Sequence, residues 1–204
     1  MKKALLITAL LFAGIGAFAQ SRFVEGQHYD VVSEKKSDQP NVTEFFSLFC
    51  GHCFQFEPFM DSLKNTLPKG VPFKKSHVDY IPRDNKPVSF GIVKAFIVMG
   101  DLGKEKELTK TFFAAIHLAQ ENIDTEAKIR KLFVDNGVDV AQFDKLYNSQ
   151  SVKDRATAMA ELWVTREISS VPTIVVNDKY KVNMGAMKSM EDLIQITDYL
   201  LKQK

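Results

Sequence analysis

Glu44-Phe45-Phe46-Ser47-Leu48-Phe49-Cys50-Gly51-His52-Cys53-Phe54-Gln55-Phe56-Glu57 is the stretch whose pattern settles the fold class. Its first half belongs to a run, residues 41–49, rich in β-branched, aromatic and aliphatic side chains, and predicts a strand. Both faces of that run are largely apolar, so the strand should lie inside a sheet that is covered on both sides. In the second half the period changes: Phe56, Phe59, Met60, Leu63 and Leu67 recur at helical spacing. Pro58 should kink this helix, and Leu67-Pro68-Lys69-Gly70 should stop it. At the junction stands Cys50-Gly51-His52-Cys53. The first turn of a helix carries unpaired N–H groups and the positive end of the dipole, so a thiolate at Cys50 is stabilised there. One helical turn separates i from i+3 and brings Cys53 within reach. The pair can therefore form a disulfide that a substrate thiolate opens at Cys50 and that Cys53 later resolves. His52, when protonated, adds positive charge beside the sulfur.

The rest of the composition agrees with this chemistry. The chain has 204 residues and only two cysteines, three positions apart. A bridge closing so small a loop removes little chain entropy, so stapling does not explain it. Lys2 and Lys3, the apolar run Ala4 to Ala13 and Ala17-Phe18-Ala19 form the three parts of a secretory leader, 1–19. The apolar run is too short to span a bilayer. Cleavage after Ala19 leaves about 185 residues, enough for one sizeable core or one domain with a large insertion. Without Lys2 and Lys3 the basic side chains fall from 27 to 25, equal to the 25 acidic ones. Such a chain has no electrostatic case for nucleic acid or anionic membrane as a partner. Sixteen Phe and 45% apolar residues argue for a packed fold rather than disorder.

Outward from the motif, residues 29–32 predict a short first strand and residues 71–78 a strand after the helix. Helical patterning then covers 87–99, 105–117, 124–135, 138–148 and 151–168. Strand character returns at 173–177 and 180–182 around a tight turn at 177–179, and a closing helix spans 190–201. The expected organisation is an α/β sheet domain, 20–80 and 160–204, interrupted by an inserted helical domain, 81–159.

Two other readings of the cysteine pair compete with this one. A zinc site needs two more ligands, and His28, His77 and His117 show no paired ligand spacing. Two buried free thiols packing as small apolar groups is the other, and a strand-to-helix junction argues against it. Glu44 shares a face of its strand with Val42, Phe46 and Leu48, so it should point into apolar surroundings and have a raised pKa. It could relay a proton near the sulfurs. The competing reading leaves it solvated at a strand end. Phe56, Met60, Met184, Met187 and Met190 could form an apolar lip for unfolded chains; Met60 and Met184 are the groove candidates, and the others chiefly fill the core.

The segment from Glu44 to Glu57 closely resembles the active-site segment of the DsbA family of periplasmic dithiol oxidases. The resemblance continues through Leu67-Pro68-x-Gly70-Val71, the helical insertion and Ser170-Val171-Pro172 ahead of the late strand. It implies a thioredoxin-like domain with a helical insert, acting in the periplasm on reduced, unfolded exported proteins. It implies no cofactor beyond the Cys50–Cys53 disulfide, and a DsbB-like quinone-linked membrane oxidase that restores that disulfide. It also implies that Pro172 is cis and faces the sulfurs, exposing the Val171 backbone to an extended substrate. The residues alone favour an ordinary trans proline. By the same resemblance Lys75 occupies the place of a buried partner to Glu44. The dipeptide Gly51-His52 departs from the Pro-His of the best-known member, so the oxidising power need not match. Two alternatives stay open: an isomerase or reductase using the same sulfurs, and a redox-silent peptide-binding chaperone. Exported isomerases of this kind carry a dimerisation domain ahead of the catalytic one. With only about 25 mature residues before the catalytic strand there is no room for it, which points to a monomeric oxidase.

Overall fold

The structure, a computed structural model, describes residues 22–203, and the expected leader at 1–19 lies outside the described residues. Strand β2, Val42–Phe46, carries no exposed residue: all five side chains are buried, as a central strand with two covered faces requires. Its neighbours come from distant parts of the chain. Strand β3, Phe73–His77, runs parallel to it, joined through helix α1, Gly51–Thr66. Strand β4, Thr173–Val176, pairs antiparallel on its other side. Outside that lie β5, Tyr180–Val182, and the edge strand β1, Tyr29–Val31, in the order β1-β5-β4-β2-β3. Residues Asn177 and Asp178 both have positive φ, 55° and 56°, which builds the two-residue turn that suits the twist of the β4–β5 hairpin.

Between β3 and β4 come five helices: α2, Lys86–Asp101; α3, Glu105–His117; α4, Glu126–Asp135; α5, Val140–Tyr147; and α6, Gln150–Thr165. Side-chain caps start four of them, with Asn85, Thr125, Asp139 and Ser149 each accepting a backbone N–H of the first turn. Helix α2 is buried almost all round, so it forms the spine that α3, α4, α5 and α6 pack against. Its Gly91 lets the Tyr147 hydroxyl approach and donate to the Gly91 carbonyl at 3.1 Å. Phe46 at the end of β2 and Leu48 just beyond it join the same core as Phe112, Phe113 and Phe133. On one face of the sheet, α1 and the closing helix α7, Met190–Leu201, pack over Val42, Ile174 and Val176. On the other, Phe45, Val78 and Val175 meet Leu162 and Trp163 of α6.

The architecture is the thioredoxin-like α/β fold with an interrupting helical block. Several boundaries differ from the sequence expectation. The strand expected over 41–49 stops at Phe46, because the next peptides bond to side chains rather than to a neighbouring strand. The helix expected to reach 168 ends at Thr165: Glu167 turns left-handed (φ 52°) and the Ile168 N–H closes back on the Trp163 carbonyl at 2.9 Å. Helix α1 runs from Gly51 to Thr66 with Pro58 inside it.

Candidate active site

Cys50 is the N-cap of α1, with extended backbone (φ −93°, ψ 111°), and its sulfur accepts the Cys53 N–H at 3.2 Å. The side chain that in most helices would be a Ser or Asp oxygen is here a reactive sulfur. Cys50 is partly exposed and Cys53 wholly buried. That geometry separates their acidities. Hydrogen bonding from the Cys53 thiol lowers the Cys50 pKa most, burial opposes it, and the backbone N–H groups of Cys53 and His52 and the His52 charge add to the lowering, to about 6. Burial, then the Cys50 sulfur it bonds to, pushes Cys53 far above the ordinary thiol value. One cysteine is thus a ready thiolate and the other holds its proton.

Distant elements complete the site. The Val171–Pro172 peptide is cis, and the Val171 carbonyl lies 3.5 Å from the Cys50 sulfur. Glu44 is fully buried on β2 and meets Lys75, its register partner on β3, at 3.1 Å. Glu57 of α1, which the sequence reading passed over, pairs with the same ammonium. Burial raises the Glu44 pKa, Lys75 pulls it back in part, and it settles at about 7. Burial works against the Lys75 charge, but Glu44 and Glu57 together hold its pKa above the ordinary value. Glu44 thus titrates near neutrality beside a Lys75 that stays charged.

Two histidines that the sequence reading left without a role also reach this turn. His77 and His117 bond the N–H and the C=O of Leu48, two residues before Cys50. Neither had a local signal, since they lie 29 and 69 residues away. Tyr80, too, had no role assigned; burial first, then the neighbouring active-site sulfurs, raise its pKa to about 12.

Along the outer flank of α1, Phe56, Phe59, Met184, Met187, Met190 and Leu193 line a groove of about 280 Å³. Phe56 and Met184, two of the expected lip residues, are among its lining. Met60 does not: it is 2% exposed and sits in the core with Leu63 and Leu193, because its helical position turns it toward the sheet. Phe59, 45% exposed, takes the place at the groove.

Comparison with known proteins agrees with this geometry. Residues 81–195 match the family model of the DSBA-like thioredoxin domain, and residues 21–101 match that of thioredoxin. Among curated proteins, the thiol:disulfide interchange protein DsbA of Salmonella typhi is 32% identical over 200 residues, covering 96% of this chain and 94% of that protein. DsbA of Escherichia coli K12 is 30% identical over 202 residues, covering 98% and 95%. Crystal structures of DsbA from Pseudomonas aeruginosa (TM-score 0.78, 25% identity, 88% of this chain and 93% of that one) and of Proteus mirabilis DsbA with a non-covalently bound peptide (0.77, 26%, 89% and 99%) superpose closely.

Proposed function

Since this chain belongs to the DsbA-like thioredoxin family and is a thiol:disulfide oxidoreductase, we propose that it acts as a dithiol oxidase that hands its Cys50–Cys53 disulfide to reduced, unfolded exported proteins. The observation that carries this reading is the split between the sulfurs: a partly exposed thiolate at a helix N-cap beside a buried, protonated partner.

Each step then follows from the site. A substrate thiolate attacks the Cys50 sulfur of the disulfide; the Cys50–Cys53 bond breaks, a substrate–Cys50 bond forms, and Cys53 leaves with the electron pair. Buried Cys53 takes up a proton, for which Glu44, with a pKa of about 7, is the proposed donor. A second substrate thiolate attacks the substrate sulfur of the mixed disulfide and expels Cys50, which leaves readily because its thiolate is stabilised. The substrate has lost two electrons and gained one disulfide; the protein holds a thiolate at Cys50 and a thiol at Cys53. In this scheme the backbone of Val171 before Pro172 pairs with the extended substrate, and Phe56 and Met184, with Phe59, receive its apolar side chains. His52 supports the thiolate through its charge. Lys75 holds Glu44 in place.

We assign the reaction to the periplasm, the catalytic unit to 20–80 and 160–204 with 81–159 as the inserted helical unit, and reoxidation to a DsbB-like quinone-linked membrane oxidase. The chemistry of the cysteine pair needs no further cofactor. The test is direct: each molecule of oxidised protein mixed with a reduced, unfolded multi-cysteine protein should introduce one disulfide into it and consume two of its thiols, and Cys50→Ser should abolish this. A reduction potential near that of thioredoxin, about −270 mV, would instead mark a reductase.

A further inference from the structure

Strand β2 ends at Phe46 and its neighbour β3 at the facing His77, with one last bond from the Val78 N–H to the Phe46 carbonyl at 2.9 Å. The peptide groups of Leu48 therefore have no strand to meet, and Leu48 is fully buried. A buried peptide without partners is costly. Two imidazoles fill the gap. The Leu48 N–H donates to Nε2 of His77 at 2.9 Å, while Nδ1–H of His77 donates to the Val78 carbonyl at 2.7 Å. Nε2–H of His117 donates to the Leu48 carbonyl at 2.8 Å. These roles fix opposite tautomers, because an amide can only donate and a carbonyl can only accept.

His117 is the last residue of α3, in the inserted helices, yet it contacts residues on both sides of the Cys-x-x-Cys segment. Besides Leu48 before it, its ring stacks on Phe54 after it, with centroids 5.4 Å apart and planes 12° apart. Nδ1 would lie 3.9 Å from a Cβ built on Gly51, between the cysteines. Phe113, one turn earlier on α3, backs the ring at 5.8 Å. The imidazole is thus held by stacking, and it brackets the catalytic turn from the helical block.

We infer that His117 is a positioning residue for thiol–disulfide exchange: by gripping the Leu48 carbonyl opposite His77, it fixes the Cys50 sulfur against the first amides of α1. Through this contact the inserted helices, and not only the sheet domain, set the acidity of Cys50 and the oxidising strength of the disulfide. Releasing the carbonyl lets the turn relax, weakens the Cys53 N–H to Cys50 contact and destabilises the thiolate.

The inference rests on Cys50 as the exchanging sulfur, which iodoacetamide trapping of the reduced parent checks separately; an unreactive Cys50 sinks both readings, whereas a reactive Cys50 with an unchanged H117L sinks this one alone. His117→Leu keeps an apolar side chain but removes the donor, and His117→Gln returns an N–H at the same reach. In folded protein, H117L should raise the Cys50 pKa measured by thiolate absorbance and shift the glutathione equilibrium about threefold to tenfold toward the disulfide, the range of one hydrogen bond. H117Q should return both to within about twofold. The inference is overturned if folded H117L matches the parent in both, or if H117Q departs as far as H117L. Should H117L not fold, His117→Asn, whose amide is one bond too short, takes its place with the same outcomes. Imidazole 15N shifts of the unaltered protein must also show Nε2–H at His117 and Nδ1–H at His77; a protonated Nδ1 with bare Nε2 at His117 overturns it.

Discussion

Acidifying the reduced protein from pH 8 to pH 5 should remove the charge on Cys50 and most of its advantage as an oxidant. The thiol pKa moves from an ordinary 9.0 to about 6. At pH 7 about ten molecules in eleven then carry the thiolate, against about one in a hundred for an ordinary thiol. The ratio of the two binding polynomials is about 11, or ~1.4 kcal/mol of stabilisation of the reduced form, equivalent to ~30 mV for a two-electron couple. The sign follows from linkage. A depressed acid contributes stability that is complete above its unfolded pKa and is lost as pH falls through its folded one. Reduced protein should therefore lose this stabilisation between pH 9 and pH 6, and oxidised protein, lacking the group, should not. Three assays read the same quantity. Thiolate absorbance and the iodoacetamide rate should both have midpoints near 6. The reduction potential should fall by ~59 mV per pH unit below the midpoint and by ~30 mV above it, because only Cys53 then takes up a proton on reduction. A midpoint near 8.5–9, or a slope of ~59 mV per unit maintained up to pH 8, would refute the idea that the N-cap geometry ionises Cys50.

Glu44 and His77 should oppose one another in the stability of the oxidised protein. Glu44, raised to about 7 in the fold, adds stability as pH falls from 7 to 4.5, whereas His77, lowered by burial to about 3, removes it as pH falls below 6.5. Denaturant melts should be nearly flat between pH 6.5 and 4.5, and Glu44→Gln should expose a loss of about 1.4 kcal/mol per pH unit; equal slopes in parent and variant would count against the buried carboxyl. Gly91→Ala should destabilise by about 1–3 kcal/mol, since its Cβ would fall 2.7 Å from the Tyr147 hydroxyl. In a Tyr147→Phe background that cost should shrink, and strict additivity would show that the clash is relieved some other way. Phe59→Ser should leave melting within about 0.5 kcal/mol, because the ring is exposed, while slowing oxidation of an unfolded protein but not of a small dithiol. Equal slowing of both would remove the groove from substrate binding.

Features written locally in the chain could be read from it directly. The change of period at residues 49–50, two cysteines one turn apart and the Asn177-Asp178 turn each act over a few residues, so the strand–motif–helix unit, the redox chemistry and the late hairpin were legible. Glu44 could be read because a strand's period of two assigns each side chain a face. The remaining features emerge only in the folded chain, where residues far apart in sequence meet across the core. Neither the Glu57 contact to Lys75 nor the grip of His77 and His117 on Leu48 leaves a periodic trace, since nothing nearby in sequence records which side chain will satisfy a distant buried group. Met60 and Phe59 make the same point within one helix: their neighbouring positions differ by about 100° around its axis, and only the packing of α7 and the sheet decided which of them faces a groove and which the core.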